Sequence, residues 1–349
     1  MLSKIKSAIC FDDVLLVPRY SEIRSRKEID LGQNLSHIEM KIGLPIISSP
    51  MDTVTGADMA EAMLNAGGLG IIHRYNSIDE QQAMIEELYE RVTDQGIEKP
   101  IGAAVGVVGD YSERARAVVA SGARVICVDI AHGHHGLMKR ALRNLRSVVG
   151  KDVHIMAGNV ATLQAFNDLA DWGADSIRVG IGGGSICSTR VQTGHGMPTL
   201  QSIFECSLSD RDALLVADGG IRTSGDIVKA IAAGANLVML GSMLAGTDES
   251  PGEIIYNPVN DRHVKVYRGM ASVEAQVDWR GHSSSIEGIS TVVEYRGPVL
   301  DVLHTLEAGI RSGLSYSGAR NITQFQSIAR FIKQSSAGAV ESSTHILKS

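Results

Sequence analysis

One pattern recurs along this chain and leaves few folds open to it: a short β-branched run, a turn rich in glycine and polar residues, then an amphipathic segment. The β-branched runs fall at residues 45–49, 69–73, 102–108, 124–130, 153–157, 176–180, 214–218 and 237–240. Helical patterns lie between them over 77–92, 112–120, 137–149, 162–172 and 224–233; in the first, Ile78, Met84, Ile85 and Leu88 form one stripe. Gly67, Gly122, Gly173 and Gly234 follow helical segments, at the position where glycine takes a left-handed conformation cheaply. Strands that alternate with helices build a parallel sheet, and eight of them predict a closed (β/α)8 barrel, the TIM-barrel form of the α/β class. The alternative, a doubly wound open sheet, would carry a G-x-G-x-x-G turn after its first strand, and none is present. Abundant glycine (37 residues) and few aromatics (4%) suit many tight βα turns packed by aliphatic layers.

The 349 residues read as a single barrel domain with two departures from the repeat. Residues 181–198 form a long loop after strand six, and residues 246–297 a longer excursion after strand eight, before a last helical pattern over 299–311. Loops of that length in a compact domain are usually functional or mobile, and both emerge on the catalytic face. The tail 335–349, rich in Ser, Ala and Gly, is expected to fray or to lie on a neighbouring subunit. A net charge of −6 and a pI near 6.0 exclude the basic stripe of a nucleic-acid surface. The N-terminus has no apolar core of a signal peptide, and no apolar run reaches the ~18 residues of a membrane span. Cys10, Cys127, Cys187 and Cys206 are spaced like neither a zinc site nor a disulfide framework, which points to a reducing cytoplasm.

Candidate chemistry sits at the C-terminal ends of the strands. Cys187 lies in Gly180-Ile-Gly-Gly-Gly-Ser-Ile-Cys-Ser-Thr-Arg, just past strand six, among glycines whose amides can converge on a thiolate or a phosphate. It reads either as a nucleophile or as an incidental thiol in a turn. Gly219, Gly220, Gly241 and Ser242 follow strands seven and eight, where barrels commonly hold phosphate on backbone amides. Asp218, one residue ahead, is placed to accept hydrogen bonds from a ribose diol. Asp129 with His132, His134 and His135 offers metal-ligand types, but their spacing matches no zinc pattern and no second carboxylate joins them. Asn159 suggests a hydrogen-bonding group for substrate or cofactor. Met51 and Met270 lie beside polar motifs, where a planar base could stack.

At these residues the chain resembles the inosine-5′-monophosphate (IMP) dehydrogenase and guanosine-5′-monophosphate (GMP) reductase family, from Phe11 to about Arg320. The motifs that carry the likeness are Ser48-Ser-Pro-Met-Asp-Thr-Val-Thr, Ala157-Gly-Asn, the Cys187 loop, Ala217-Asp-Gly-Gly-Ile-Arg, Leu244-Ala-Gly-Thr and Tyr267-Arg-Gly-Met. The resemblance implies that Cys187 attacks purine C2, with Thr189 and Glu287 moving a proton. It implies a nucleotide site of Ser49, Met51, Ser185, Asp218, Gly220, Gly241, Ser242, Tyr267, Gly269 and Met270. Asp129 and Asn159 would face the nicotinamide, and the carbonyls of Gly182, Gly184 and Cys187 would line a monovalent-cation site suited to K+. A homotetramer is also implied.

The two enzymes of this family differ in parts that the sequence displays. The dehydrogenase usually inserts CBS modules after strand two and carries a mobile flap with an Arg-Tyr pair that activates water. Here His73-Arg-Tyr-Asn runs on without insertion, and the 16 residues between Met270 and Glu287 hold no Arg-Tyr pair, only Trp279-Arg280. Arg24-Ser-Arg-Lys and Gln192-Thr-Gly also lean towards the reductase. Gly67-Gly-Leu-Gly-Ile-Ile-His, Thr247-Asp-Glu-Ser-Pro-Gly-Glu and Tyr267-Arg-Gly-Met lean towards the dehydrogenase; Arg74 stands where both usually have lysine, and Gly183 where proline is usual. The expected activity is NADPH-dependent GMP reduction, with NAD-dependent IMP dehydrogenation as the alternative and a purine-nucleotide-binding barrel without turnover as the distant one.

Overall fold

Eight parallel strands close on themselves: β1 (Ile46–Ser48), β2 (Leu69–Ile72), β3 (Gly102–Val105), β4 (Val125–Asp129), β5 (His154–Val160), β6 (Ser176–Val179), β7 (Leu214–Asp218) and β8 (Leu237–Leu240). The barrel shuts where β8 pairs with β1, Val238 beside Ile46 and Leu240 beside Ser48. This computed structural model describes residues 5–35, 38–93, 99–283 and 287–342. All eight strands lie within the runs predicted from the sequence except β5, which runs on to Val160.

The period of two along each strand sorts side chains into two cores. Ile47, Leu69, Ile71, Ala104, Val125, Cys127, Met156, Val216, Leu237 and Met239 fill the barrel interior, and Leu35 and Ile42 of an N-terminal hairpin join them. The alternate residues, such as Ile46, Ile72, Ile126, Ile155 and Val238, face the helices and belong to the larger outer core. The helices are α1 (Ala57–Asn65), α2 (Ile78–Thr93), α3 (Tyr111–Ala120), α4 (Gly136–Val149), α5 (Leu163–Asp171), α6 (Thr199–Cys206), α7 (Ser224–Ala232) and α8 (Val299–Tyr316). Thr162 and Thr223 cap α5 and α7 by accepting from the amides of Ala165 and Asp226. The four helix-ending glycines have φ between +80° and +120°, as the sequence implied.

The excursion after β8 is not structureless. It folds into an antiparallel sheet of β9 (Ile255–Asn257), β10 (Arg262–Arg268) and β11 (Ser290–Glu294), with a helix over Val273–Arg280 between the last two strands. A bridge between Thr247 and Gly297 closes its base. The sheet escaped the sequence reading because most of its side chains stay exposed, so little apolar alternation marks it. The N-terminal arm pairs Val14–Leu16 with Phe331–Lys333. Part of the tail, Ser336–Glu341, is a helix capped by Ser335, and residues 343–349 lie outside the described residues. No helix among the described residues is long and apolar enough to cross a membrane.

Candidate active site

The C-terminal ends of the strands open into a cleft of about 490 Å3. From the loop after β6 it is lined by Gly182, Gly184, Ser185, Cys187 and Thr189, and from the turns after β7 and β8 by Gly220, Gly241 and Ser242. Ser49 and Met51 enter after β1, and Asp129, Asn159 and Asp218 from β4, β5 and β7. The excursion closes one side with Tyr267, Gly269, Met270 and Glu287. The histidines after β4 do not join this wall. His134 pairs with Asp168 at 2.7 Å, and His135 caps α4 by accepting from the Leu137 amide. Among the described residues no three metal-ligating side chains converge.

Cys187 is half-buried and its thiol donates to Thr189 Oγ1 at 3.2 Å. Thr189 in turn donates to Glu287 Oε2 at 2.7 Å, 98 residues away in sequence. Sulfur, hydroxyl and carboxylate thus form a relay that can carry a proton between the sulfur's neighbourhood and an acid. The other interior thiols are unsuited to nucleophilic work: burial pushes Cys127 up to about 11 and Cys206 up to about 12. The loop takes its shape from close approaches. A Cβ on Gly183 would stand 2.4 Å from Thr199 Oγ1, so the glycine found where the family usually has proline matches the threonine beneath it.

Asp129, Arg178 and Asp218 occupy the top layer of the barrel interior, on the same parity as Cys127, Ser176 and Val216 below them. Arg178 Nη1 donates to Asp129 Oδ1 at 2.6 Å, while its Nε and Nη2 donate to Asp218 Oδ2 at 3.2 and 2.9 Å. Asn159, at a register shift in β5, adds a third bond to Asp218 Oδ2 at 2.8 Å. With these donors gathered on Oδ2, Asp218 keeps Oδ1 for a ligand in the cleft. Burial alone would raise Asp129, yet the positive charges of Arg178 and then Arg74 hold its carboxyl below the ordinary aspartate value. Sequence reasoning missed Arg178, because a strand counted by apolar residues treats an arginine as outward-facing. Its parity with Ser176 and its place two residues before the Cys187 loop would have located it.

The end of the cleft at Gly241 and Tyr267 is built by backbone approach. A Cβ on Gly241 would meet the Tyr267 hydroxyl at 2.8 Å and Met51 Sδ at 3.4 Å, so only glycine lets the phenol rest on this turn. Tyr267 is 4% exposed, and burial pushes its phenol up to about 12 although a hydrogen bond from Ser185 opposes the shift. It therefore remains a neutral hydroxyl at neutral pH.

The opposite end combines Arg74, Tyr75, Gln276, Trp279 and Arg280, none of them named from the sequence as site residues. Tyr75 and Trp279 stack with ring centroids 4.3 Å apart, and the Arg74 guanidinium lies 5.5 and 5.6 Å from the two ring centres. The Tyr75 hydroxyl donates to the Met270 carbonyl. Arg74 Nε is buried, lacks a hydrogen-bond partner and lies 3.7 Å from Asp129 Oδ2. A guanidinium that lies against a stacked aromatic pair and a half-buried carboxylate fits a polar, planar group such as a nicotinamide dinucleotide. The carbonyl of Gly184 accepts from the Cys187 amide at 3.1 Å and keeps a second lone pair.

The family model described as the IMP dehydrogenase / GMP reductase domain matches residues 8–345. An inosine-5′-monophosphate dehydrogenase of Nitrosopumilus maritimus is 35% identical over 98% of this chain and 99% of its own length; its 474 aligned positions exceed this chain's length, so that relative carries sequence absent here. A GMP reductase of Leishmania major is 32% identical over 99% of this chain and 98% of its own. The crystal structure of a GMP reductase from Trypanosoma brucei, a cysteine-to-alanine variant in complex with guanosine 5′-monophosphate, superposes with a TM-score of 0.90 at 31% identity and covers 99% of both chains.

Proposed function

The chain belongs to the IMP dehydrogenase / GMP reductase family of oxidoreductases, and from that premise we propose that it converts GMP and NADPH to IMP, ammonia and NADP+. The observation that carries this choice is the Cys187–Thr189–Glu287 relay, at 3.2 and 2.7 Å, beside an excursion without an Arg-Tyr pair. Asp218 holds the ribose, while the turns at Gly220, Gly241 and Ser242, with Ser185 and Tyr267, hold the phosphate. Ser49, Met51, Gly269 and Met270 flank the purine. The Cys187 thiolate attacks purine C2, and Glu287, taking up a proton from solvent, passes it through Thr189 to the departing amine. A reduced nicotinamide held there would supply hydride to C2. Asp129, Asn159, Arg74 and the Tyr75–Trp279 pair would hold that cofactor and exclude water.

One observation favours the dehydrogenase as a second reading: Arg280 lines the cleft and packs 5.5 Å from the Trp279 ring centre, where a guanidinium could serve water. The intact relay speaks against a nucleotide-binding barrel without turnover. K+ on the Cys187 loop, a homotetramer and a cytoplasmic location complete the proposal on the family resemblance. Nicotinamide absorbance decides between the readings. Sustained NADPH oxidation with GMP, and at most one turnover of NAD+ with IMP, is expected; many turnovers of IMP with NAD+ and none of GMP with NADPH would reverse the assignment.

A further inference from the structure

Arg178 stands on β6, beside β7 and two strands from β4, yet it bonds carboxylates on both of those strands. It reaches Asp129 across β5, where a Cβ on Gly158 would lie 2.5 Å from Arg178 Cβ. The guanidinium side chain is 6% exposed. A guanidinium is planar and its donors are fixed relative to one another. Turning the plane to follow one carboxylate therefore moves the donors that serve the other.

We infer that Arg178 is a positioning residue shared by the two sides of the cleft, its fork tying the orientation of Asp218, on the nucleotide side, to that of Asp129, on the cofactor side. The inference rests on the functional reading above for which ligand lies on which side. A lysine offers a compact charge on a flexible stem and cannot hold both carboxylates in one fixed geometry. Asp129 is thus expected to influence nucleotide binding through the arginine, without touching the nucleotide.

A double-mutant cycle tests this on the full-length protein, with GMP and IMP as the calorimetric probes in the absence of cofactor. Asp129→Asn is expected to change the nucleotide Kd at least about threefold when Arg178 is present, the low end of coupling within one hydrogen-bonded network. In the Arg178→Lys background, which keeps the charge and loses the fork, the same substitution is expected to change Kd by less than about 1.5-fold. Circular dichroism of each variant establishes that it is folded. If Arg178→Lys does not fold, the single variant decides: a Kd unmoved by Asp129→Asn overturns the inference. Equal shifts in both backgrounds overturn it too, since a plain charge effect would act without the fork. A wild-type protein that binds neither nucleotide refutes the functional reading and the inference together, whereas binding with additive effects refutes the inference alone.

Discussion

Replacing Glu287 by glutamine tests whether the relay moves a proton or merely orders the loop. Thr189 donates to a carboxylate oxygen at 2.7 Å. A hydrogen bond to a charged acceptor contributes about 1.5–3 kcal/mol and a neutral one about 1. The amide oxygen of glutamine can still accept, so the change removes about 0.5–2 kcal/mol of ground-state order, at most about thirtyfold in rate. Loss of general acid–base catalysis instead costs about 10²–10⁴-fold, or roughly 3–5.5 kcal/mol. Glu287→Gln is therefore expected to lower kcat for GMP-dependent NADPH oxidation about 10³-fold, with little change in GMP affinity. A stopped-flow single turnover of IMP with NADP+ supplies the contrast, because no amine leaves in that direction. It is expected to keep its rate within about thirtyfold of wild type, since only order is lost. A fall of less than about thirtyfold in kcat would refute proton transfer by Glu287. Equal losses in both assays would show that the substitution disorders the Cys187 loop.

Cys187→Ser should abolish turnover and leave GMP binding by calorimetry intact, because an alcohol without a strong adjacent base is a poor nucleophile at neutral pH; near-normal rates would end the covalent mechanism. Asp218→Ala should weaken GMP binding by about 1.5–3 kcal/mol, the scale of hydrogen bonds to a charged group, while iodoacetamide still alkylates Cys187; an unchanged Kd would remove Asp218 from the ribose. Tyr267 is neutral when buried and titrates near its ordinary value when unfolded, so its stabilising contribution is present below pH 10 and lost as pH rises towards about 12. Across that window the loss amounts to about 2–3 kcal/mol, and Tyr267→Phe should flatten the alkaline fall of the thermal midpoint by a corresponding amount. An identical alkaline profile in the variant would show that the phenol already titrates normally in the fold.

The barrel was legible because its strands and turns announce themselves locally. β-branched runs of three to seven residues and left-handed glycines at helix ends need no long-range information. Two helices of the barrel repeat were not read. α1, Ala57-Asp-Met-Ala-Glu-Ala-Met-Leu-Asn, is only nine residues long and buries mostly alanine and methionine, with Leu64 its one branched apolar side chain. α6 begins directly after the long Cys187 loop, whose polar composition masked the start of its helical period. The excursion hid its sheet for another reason: β11 buries almost none of its residues, so no alternation records its pairing with β10.

The same distinction divides the site. The side proposed for the nucleotide consists of short motifs in which a glycine, a serine or an aspartate stands at a strand end, and a local pattern suffices to find them. The cofactor side is assembled from partners remote in sequence. Tyr75 after β2 stacks on Trp279 of the excursion helix, and Arg268 of β10 donates to Asp52 at 2.9 and 2.6 Å while also pairing with Asp278. None of these pairings has a signature in the neighbourhood of either residue. Arg178 falls between the two cases: its parity on β6 is local, but what it does depends on carboxylates 40 and 49 residues away. On the proposed function, contacts between the excursion and the barrel rim, where the sequence is least explicit, are expected to set cofactor choice. Exchanges at Arg74, Tyr75, Trp279 or Arg280 should accordingly alter cofactor KM before they alter nucleotide affinity.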